Sequence, residues 1–234
     1  MGLSESQFVL LSGSVPDRYP FVAGARPTDI EEAIVSLARA VFSRGGRMIF
    51  GGHPSVSPLI ASIAGTYFPP DPNRPPHLRP IVTFQSEFFR DRLPDESWAL
   101  YRMGWSAIEW TETVDQDRNA SLLLMRRDML GVPGFSEAAI ERNRIEPPRA
   151  MVAIGGMEGI LEETRIILSE SSWDLPLYAV ASGGGAASQL ARVWPERVRG
   201  LEAVFQEANA AYLPPETSGP VPYAAMMQWL VDSL

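Results

Sequence analysis

Three apolar runs end in glycines and continue into small polar or acidic residues: FGGHPSVSPLI from Phe50, AIGGMEGILEE from Ala153 and AVASGGGAASQLA from Ala179. The chemistry open to such junctions is anion binding. Glycine has no Cβ, so backbone N–H groups can approach a phosphate, and a helix starting there turns its positive end to the same anion. A fourth run, FVLLSGS, adds Gly13 and Ser14. In the first junction Gly51 and Gly52 precede His53, Ser55 and Ser57, whose side chains can bond a phosphate or a ribose hydroxyl. Read alone, the same residues also describe a tight turn whose histidine is satisfied by backbone, because a lone glycine motif is weak evidence.

The second junction carries Gly155, Gly156 and Gly159 together with Glu158, Glu162 and Glu163. Acidic residues are ordinary partners of a helix N-terminus. The functional alternative is a carboxylate that accepts ribose hydroxyls or works as a general base. Phosphate and a bare carboxylate cannot share a patch without a cation between them. Arg126 or Arg127, in the segment SLLLMRRDML, is the candidate, since a guanidinium grips phosphate through two N–H groups; the other reading of the pair is a solvated helix face. The third junction, with Ser182, Gly183 and Gly184, permits close backbone approach to a ligand or to a neighbouring helix alike. Trp98, Tyr101, Trp105 and Trp110 have the rings to stack on a base, although aromatics at such spacing more often belong to a core or an interface.

Composition removes several rival chemistries. All 20 basic residues are arginine, so neither Schiff-base chemistry nor a Walker-type lysine is available. The absence of cysteine excludes disulfides, zinc–thiolate sites and a cysteine nucleophile, and two histidines argue against a histidine-built metal site; no cofactor or metal is expected. A net charge of −8 disfavours nucleic acid and anionic membranes as partners. No run approaches the ~18 uninterrupted apolar residues of a membrane-spanning helix. The N-terminal MGLSESQFVLLSGS lacks the basic and apolar regions of a secretory signal, and a cytoplasmic location is expected.

The junctions need elements to hold them. Phe8–Leu11, Met48–Phe50, Ile81–Phe84, Trp105–Trp110, Met151–Ile154 and Leu177–Ala181 read as strands. Between them lie helical patterns: one capped by Thr28 and running to about Ser43, one from near Pro58 to Gly65, then Ser121–Leu130 and Glu158–Ser169, with a further helix opening after Gly183–Gly185 and a terminal amphipathic one at Tyr223–Leu234. Six prolines between Pro69 and Pro80 require an irregular loop, and DRLPDESWALYRMG is expected to form a lid over the site. Strands alternating with helices predict an α/β fold, a Rossmann-like mostly parallel sheet with helices on both faces, built as one domain across residues 1–234 with a C-terminal helix at 220–234. A ligand then lies at the C-terminal strand edge, where Gly13, Gly51, Gly155 and Gly183 all fall.

In the order LLSGSVP, FGGHPSVSPLI, AIGGMEGILEE, the chain resembles the SLOG superfamily. This Rossmann-like group includes the Lonely Guy phosphoribohydrolases and the N-terminal domains of melastatin-type TRP channels. The resemblance covers about Phe8 to Leu190 and points to the prokaryotic branch associated with TIR, Sir2 and antiviral conflict systems. Lonely Guy enzymes carry PGGxGTxxE, whose glutamate and an upstream arginine are implicated in cleaving an N-glycosidic bond. By that resemblance Gly155, Gly156 and Gly159 match the glycines, Glu163 the glutamate, and Arg126 or Arg127 the arginine. Ile154 replaces the proline, Ile160 the threonine, and one extra residue separates the glycines. These departures run toward a binder. The resemblance therefore implies a sensor of a nucleotide or NAD-derived ligand of the ADP-ribose type in a bacterial defence or signalling system, non-catalytic, acting through self-association or a separate effector protein. The alternatives are a Lonely Guy-type hydrolase using Glu163 with Arg127 or Arg126, and an assembly module with a degenerate pocket. The terminal helix, apolar around more than one face, is expected to bury that surface on a second copy or on its own sheet.

Overall fold

The structure, a computed structural model, describes residues 2–170, 174–211 and 220–234. Within them the chain runs β1 (Phe8–Ser14), α1 (Pro27–Ser43), β2 (Arg47–Phe50), α2 (Ser57–Tyr67), β3 (Ile81–Ser86), α3 (Asp95–Arg102), β4 (Ser106–Thr111), α4 (Arg118–Met129) and α5 (Glu137–Asn143). It continues through β5 (Ala150–Gly155), α6 (Glu158–Glu170), β6 (Leu177–Val180), α7 (Ala187–Val193), β7 (Val198–Gly200), α8 (Leu201–Ala208) and α9 (Tyr223–Ser233). The strands form one sheet in the order β4-β3-β2-β1-β5-β6-β7, and every pairing is parallel. This is a single Rossmann-like α/β domain.

The chain builds outward from β1 through β2, β3 and β4, then returns to add β5, β6 and β7 on the other side. Strand order therefore reverses between β1 and β5, and at such a reversal the flanking loops part and leave a crevice beyond the C-terminal strand ends. The register sets Ser14 opposite Gly155, which puts the first and second glycine junctions side by side.

Alternation along β1 feeds two cores. Val9 and Leu11 pack with Ile30, Ile34 and Leu37 of α1 and with α9, whereas Phe8 and Leu10 pack with Met125 and Met129 of α4 and Ile166 and Ile167 of α6. A central parallel strand covered on both faces must be apolar at consecutive positions. The terminal helix buries Tyr223, Met226, Met227, Leu230 and Val231 within the chain, against α1 and α8. This apolar face of α9 is packed on its own domain.

Several boundaries differ from expectation. Helix α1 begins at Pro27 after Arg26, with no side-chain cap, so Thr28 lies inside the first turn; proline at the first helical position already has the right φ and no N–H to satisfy. The expected lid contains α3, whose Ser97 and Leu100 are buried, and only its Arg92–Pro94 corner reaches the cleft. Elements α5, β7 and α8 are short and were not foreseen.

The proline loop is irregular apart from a 3-10 turn at Pro76–Leu78. Prolines leave carbonyls without matching N–H groups, and two buried arginines supply the missing donors. Arg79 donates to the carbonyls of Arg74, Pro72 and Ser106, and Arg47 to those of Arg79, Asn143 and Pro76. Burial pushes the Arg47 guanidinium down to about 10. No helix among the described residues is long and apolar enough to cross a membrane.

Candidate functional site

The crevice at the reversal of strand order is a cleft of about 400 Å³ between the ends of β1 and β2, the first turn of α6 and one face of α4. That volume lies in the range of small-molecule sites. Ser12, Gly13 and Ser14 come from β1, Gly51, Gly52 and His53 from the end of β2, Gln85 from β3, and Gly159, Ile160 and Glu163 from α6.

At its floor three side chains converge from three elements. The Ser12 hydroxyl, 2% exposed, donates to Oε2 of Glu163. Arg126 of α4 brings Nε to 3.5 Å from Oε1 of Glu163, and its Nη1 bonds the Glu162 carboxylate. The Glu163 carboxyl is held above the ordinary carboxylate range by burial, opposed by the Ser12 hydrogen bond and by Arg126. Gly159 makes the crossing possible: a Cβ there would stand 2.8 Å from Nη2 of Arg126.

His53 is a neutral donor. Its Nδ1 accepts from the Ser55 backbone N–H at 3.2 Å and lies 2.9 Å from the Ser55 hydroxyl, so the ring proton belongs on Nε2. Burial lowers its proton affinity, with smaller opposed influences from Asp17 and Arg18. Ser55 also accepts from the Val15 N–H at 3.0 Å, fastening the β1 turn to the β2 turn.

Four arginines line the cleft: Arg18, Arg92, Arg118 and Arg126. Glu163 is the one carboxylate in the described lining, while Arg18 pairs with Asp17 and Glu158, and Arg126 with Glu162, at its rim. Among the described residues Arg92 and Arg118 have no carboxylate within 4.0 Å, and Arg118 is the first residue of α4, where the helix dipole disfavours a cation. Leu122, Met125 and Met129 of α4 form an apolar wall that faces Met157 and Ile160. A cationic, partly apolar cleft in a chain of charge −8 suits an organic anion.

The sequence-derived candidates divide. Gly13, Ser14, Gly51, Gly52, His53, Arg126, Gly159 and Glu163 line the cleft; Ser55, Ser57, Arg127, Gly155, Gly156, Glu158, Ser182, Gly183 and Gly184 do not. Arg127 pairs instead with Glu170 at 2.6 Å, one position round the helix from Arg126. Ser57 bonds the His53 carbonyl and faces Ser97, stiffening the turn from behind. Glu158 is exposed and pairs with Arg18 at 3.5 Å.

The paired glycines serve the turn. Gly155 and Gly156 have φ of +63° and +72°, and a Cβ on Gly156 would overlap the Ile160 side chain. The triple-glycine loop is structural as well. A Cβ on Gly183 would press on Ile30 at 2.7 Å and one on Gly184 on the Gly24 carbonyl at 2.6 Å, while Arg26 donates to the carbonyls of Gly183 and Ser182. Ser182 itself bonds the Tyr223 hydroxyl at 2.7 Å. Trp98, Tyr101 and Trp110 gather at a separate hollow on β4, and Trp105 donates to the Phe68 carbonyl.

Sequence reasoning passed over Arg18, Gln85, Arg92 and Arg118, each a lone polar residue with no motif around it. The Leu122, Met125, Met129 stripe was visible as helical spacing but reads equally as core.

A model of the SLOG cluster3 family matches residues 20–203. Among solved structures, an X-ray structure of TM1055, a structural-genomics target, is similar at 12% identity and a TM-score of 0.48, the match covering 83% of this chain and 90% of that one. No curated protein matches the sequence.

Proposed function

Given that the chain belongs to the SLOG cluster3 family, we propose that its cleft binds a nucleotide-derived ligand and that the protein senses this ligand rather than hydrolysing it. The observation that carries the reading is the lining of the cleft: four guanidiniums, the glycine-bearing ends of β1 and β2 and an apolar wall, all at the reversal of strand order. Phosphate suits the first two and a base or sugar the third.

The state of Glu163 favours sensing. A general base must be ionised and free to reach a water. Here burial raises the proton affinity of the carboxyl, Ser12 donates to one of its oxygens, and Arg126 Nε stands 3.5 Å from the other without a hydrogen bond. Each oxygen keeps a further lone pair, so Glu163 can still accept a ribose hydroxyl. The finer reading is a ligand of the ADP-ribose type, with Arg92 and Arg118 free for a second phosphate, in a defence or signalling role exerted through self-association or an effector.

Hydrolysis in the Lonely Guy manner is the second reading, favoured by the 3.5 Å approach of Arg126 to Glu163. One experiment separates the two. Calorimetry with AMP, ADP-ribose and NAD, followed by chromatography for free adenine and nicotinamide, returns the ligand intact if the protein is a sensor. Rapid turnover abolished by Glu163→Gln would overturn that conclusion.

A further inference from the structure

Gln85 lies next to the last residue of β3, lines the cleft and is 7% exposed. Its Nε2 donates to the Gly51 carbonyl at 2.7 Å. A carbonyl can only accept, so this contact decides which end of the amide is which. The other end, Oε1, meets no donor among the described residues and is open to the cleft. A side chain held at one end, with an acceptor at the other that no protein group engages, can take a donor from the ligand.

The surroundings say what kind of donor. Gly52 has φ of +62°, and a Cβ there would stand 2.5 Å from Nε2 of Gln85 and 2.6 Å from Cγ2 of Thr83. Only glycine leaves the amide its place. On the neighbouring residue, the position a Gly51 side chain would take is 3.6 Å from Sδ of Met129 and 3.7 Å from Cε of Met125. The glycine whose carbonyl fixes Gln85 is thus also the one the two thioethers close over. Thioethers pack well against aromatic rings. A flat heterocycle resting on Met125 and Met129 presents its edge toward Gln85.

We propose that Gln85 selects the base of the ligand: its fixed acceptor oxygen takes the exocyclic amino group of an amino-substituted base such as adenine and rejects the keto-substituted counterpart. The inference rests on the nucleotide reading of the cleft. A keto oxygen at that position would face the Gln85 oxygen acceptor to acceptor where the amino group makes a hydrogen bond, and sites built to bond one group reject its analogue.

AMP against IMP, and NAD against its hypoxanthine counterpart, exchange the C6 amino group for a keto oxygen and with it place a proton on N1, and they test the proposal by calorimetry. The expected result is binding of AMP and NAD at least tenfold tighter than of the keto partners. In Gln85→Met, with its melting temperature checked first, the preference falls to near unity through loss of AMP affinity, while IMP is little changed. Equal affinities within each pair for the unaltered protein overturn the role of Gln85 and leave the nucleotide reading standing. No binding of any of the four overturns both, and a preference that survives Gln85→Met assigns base selection to another group and also overturns the proposal.

Discussion

Glu163 sits where burial and partners pull in opposite directions. Burial, the larger influence, raises its proton affinity, while Ser12 and Arg126 favour the ionised form. A carboxyl whose folded-state value is raised contributes stability that is fully present below its unfolded value near 4.5 and is lost as pH climbs through the folded one. Glu163→Gln removes that loss. Its melting temperature should match the parent below about pH 4.5 and exceed it toward pH 7. A scan from pH 4 to 8 showing parallel curves would remove burial as the dominant influence. Arg126 and Arg127 separate function from surface. Arg126→Gln should weaken ADP-ribose binding more than tenfold, ~1.4 kcal/mol, while Arg127→Gln, whose partner is Glu170, stays within twofold. Equal losses in calorimetry would refute the assignment of the cleft arginine.

Among elements, the turn from β5 into α6 combines two demands that substitution can pull apart. Gly156→Ala places a Cβ in the Ile160 side chain at a positive φ, so it should destabilise by about 2 kcal/mol or more, with part recovered by Ile160→Ala. Gly159→Ala meets only the flexible end of Arg126. It should cost little stability yet lower ligand affinity by moving the guanidinium. Denaturant melts beside calorimetry read both quantities, and the reverse pattern would mean that Gly159 serves the fold. Helix α9 belongs to the same argument. With Leu230 fully buried between α9 and α1, Leu230→Ala should cost about 2–5 kcal/mol, as expected of a helix integral to its own core.

At the scale of the whole molecule, a chain of charge −8 gathers four arginines at one crevice, two of them, Arg92 and Arg118, without a carboxylate within 4.0 Å among the described residues. Binding of an anion there is partly exposed to solvent, so screening reaches it. Affinity for ADP-ribose should fall several-fold as salt rises from about 0.05 to 0.5 M, since the screening length shortens from over ~10 Å to a few ångströms. Salt-independent affinity would place the binding energy in the apolar wall instead. A sensing role also asks how occupancy is read out. Self-association driven by ligand predicts a rise by light scattering above the 25.7 kDa of one chain when ADP-ribose is added. An unchanged mass directs the search to an effector protein.

Local pattern was enough for the repeated unit of the fold. Glycine at a strand end, β-branched and apolar runs of four to six residues, and helical spacing between them are short-range signals, and they placed six of the strands and the parallel sheet. They also marked Gly13, Gly51, Gly52, His53, Gly159 and Glu163, because motif residues announce themselves by their neighbours. What only the tertiary structure decided was which junctions line the cleft. Gly155, Gly156 and Gly183 look like Gly51 in sequence, yet a side chain on them would meet Ser14 on β1, Ile160 in the next turn and Ile30 on α1. Arg126 and Arg127 are adjacent and chemically identical; a turn of roughly 100° per residue about α4 sends one to Glu163 and the other to Glu170. Gln85, Arg92 and Arg118 carry no local signature at all. Their role comes from the order of strands in the sheet, and strand order is set by long-range pairing that no window of sequence contains.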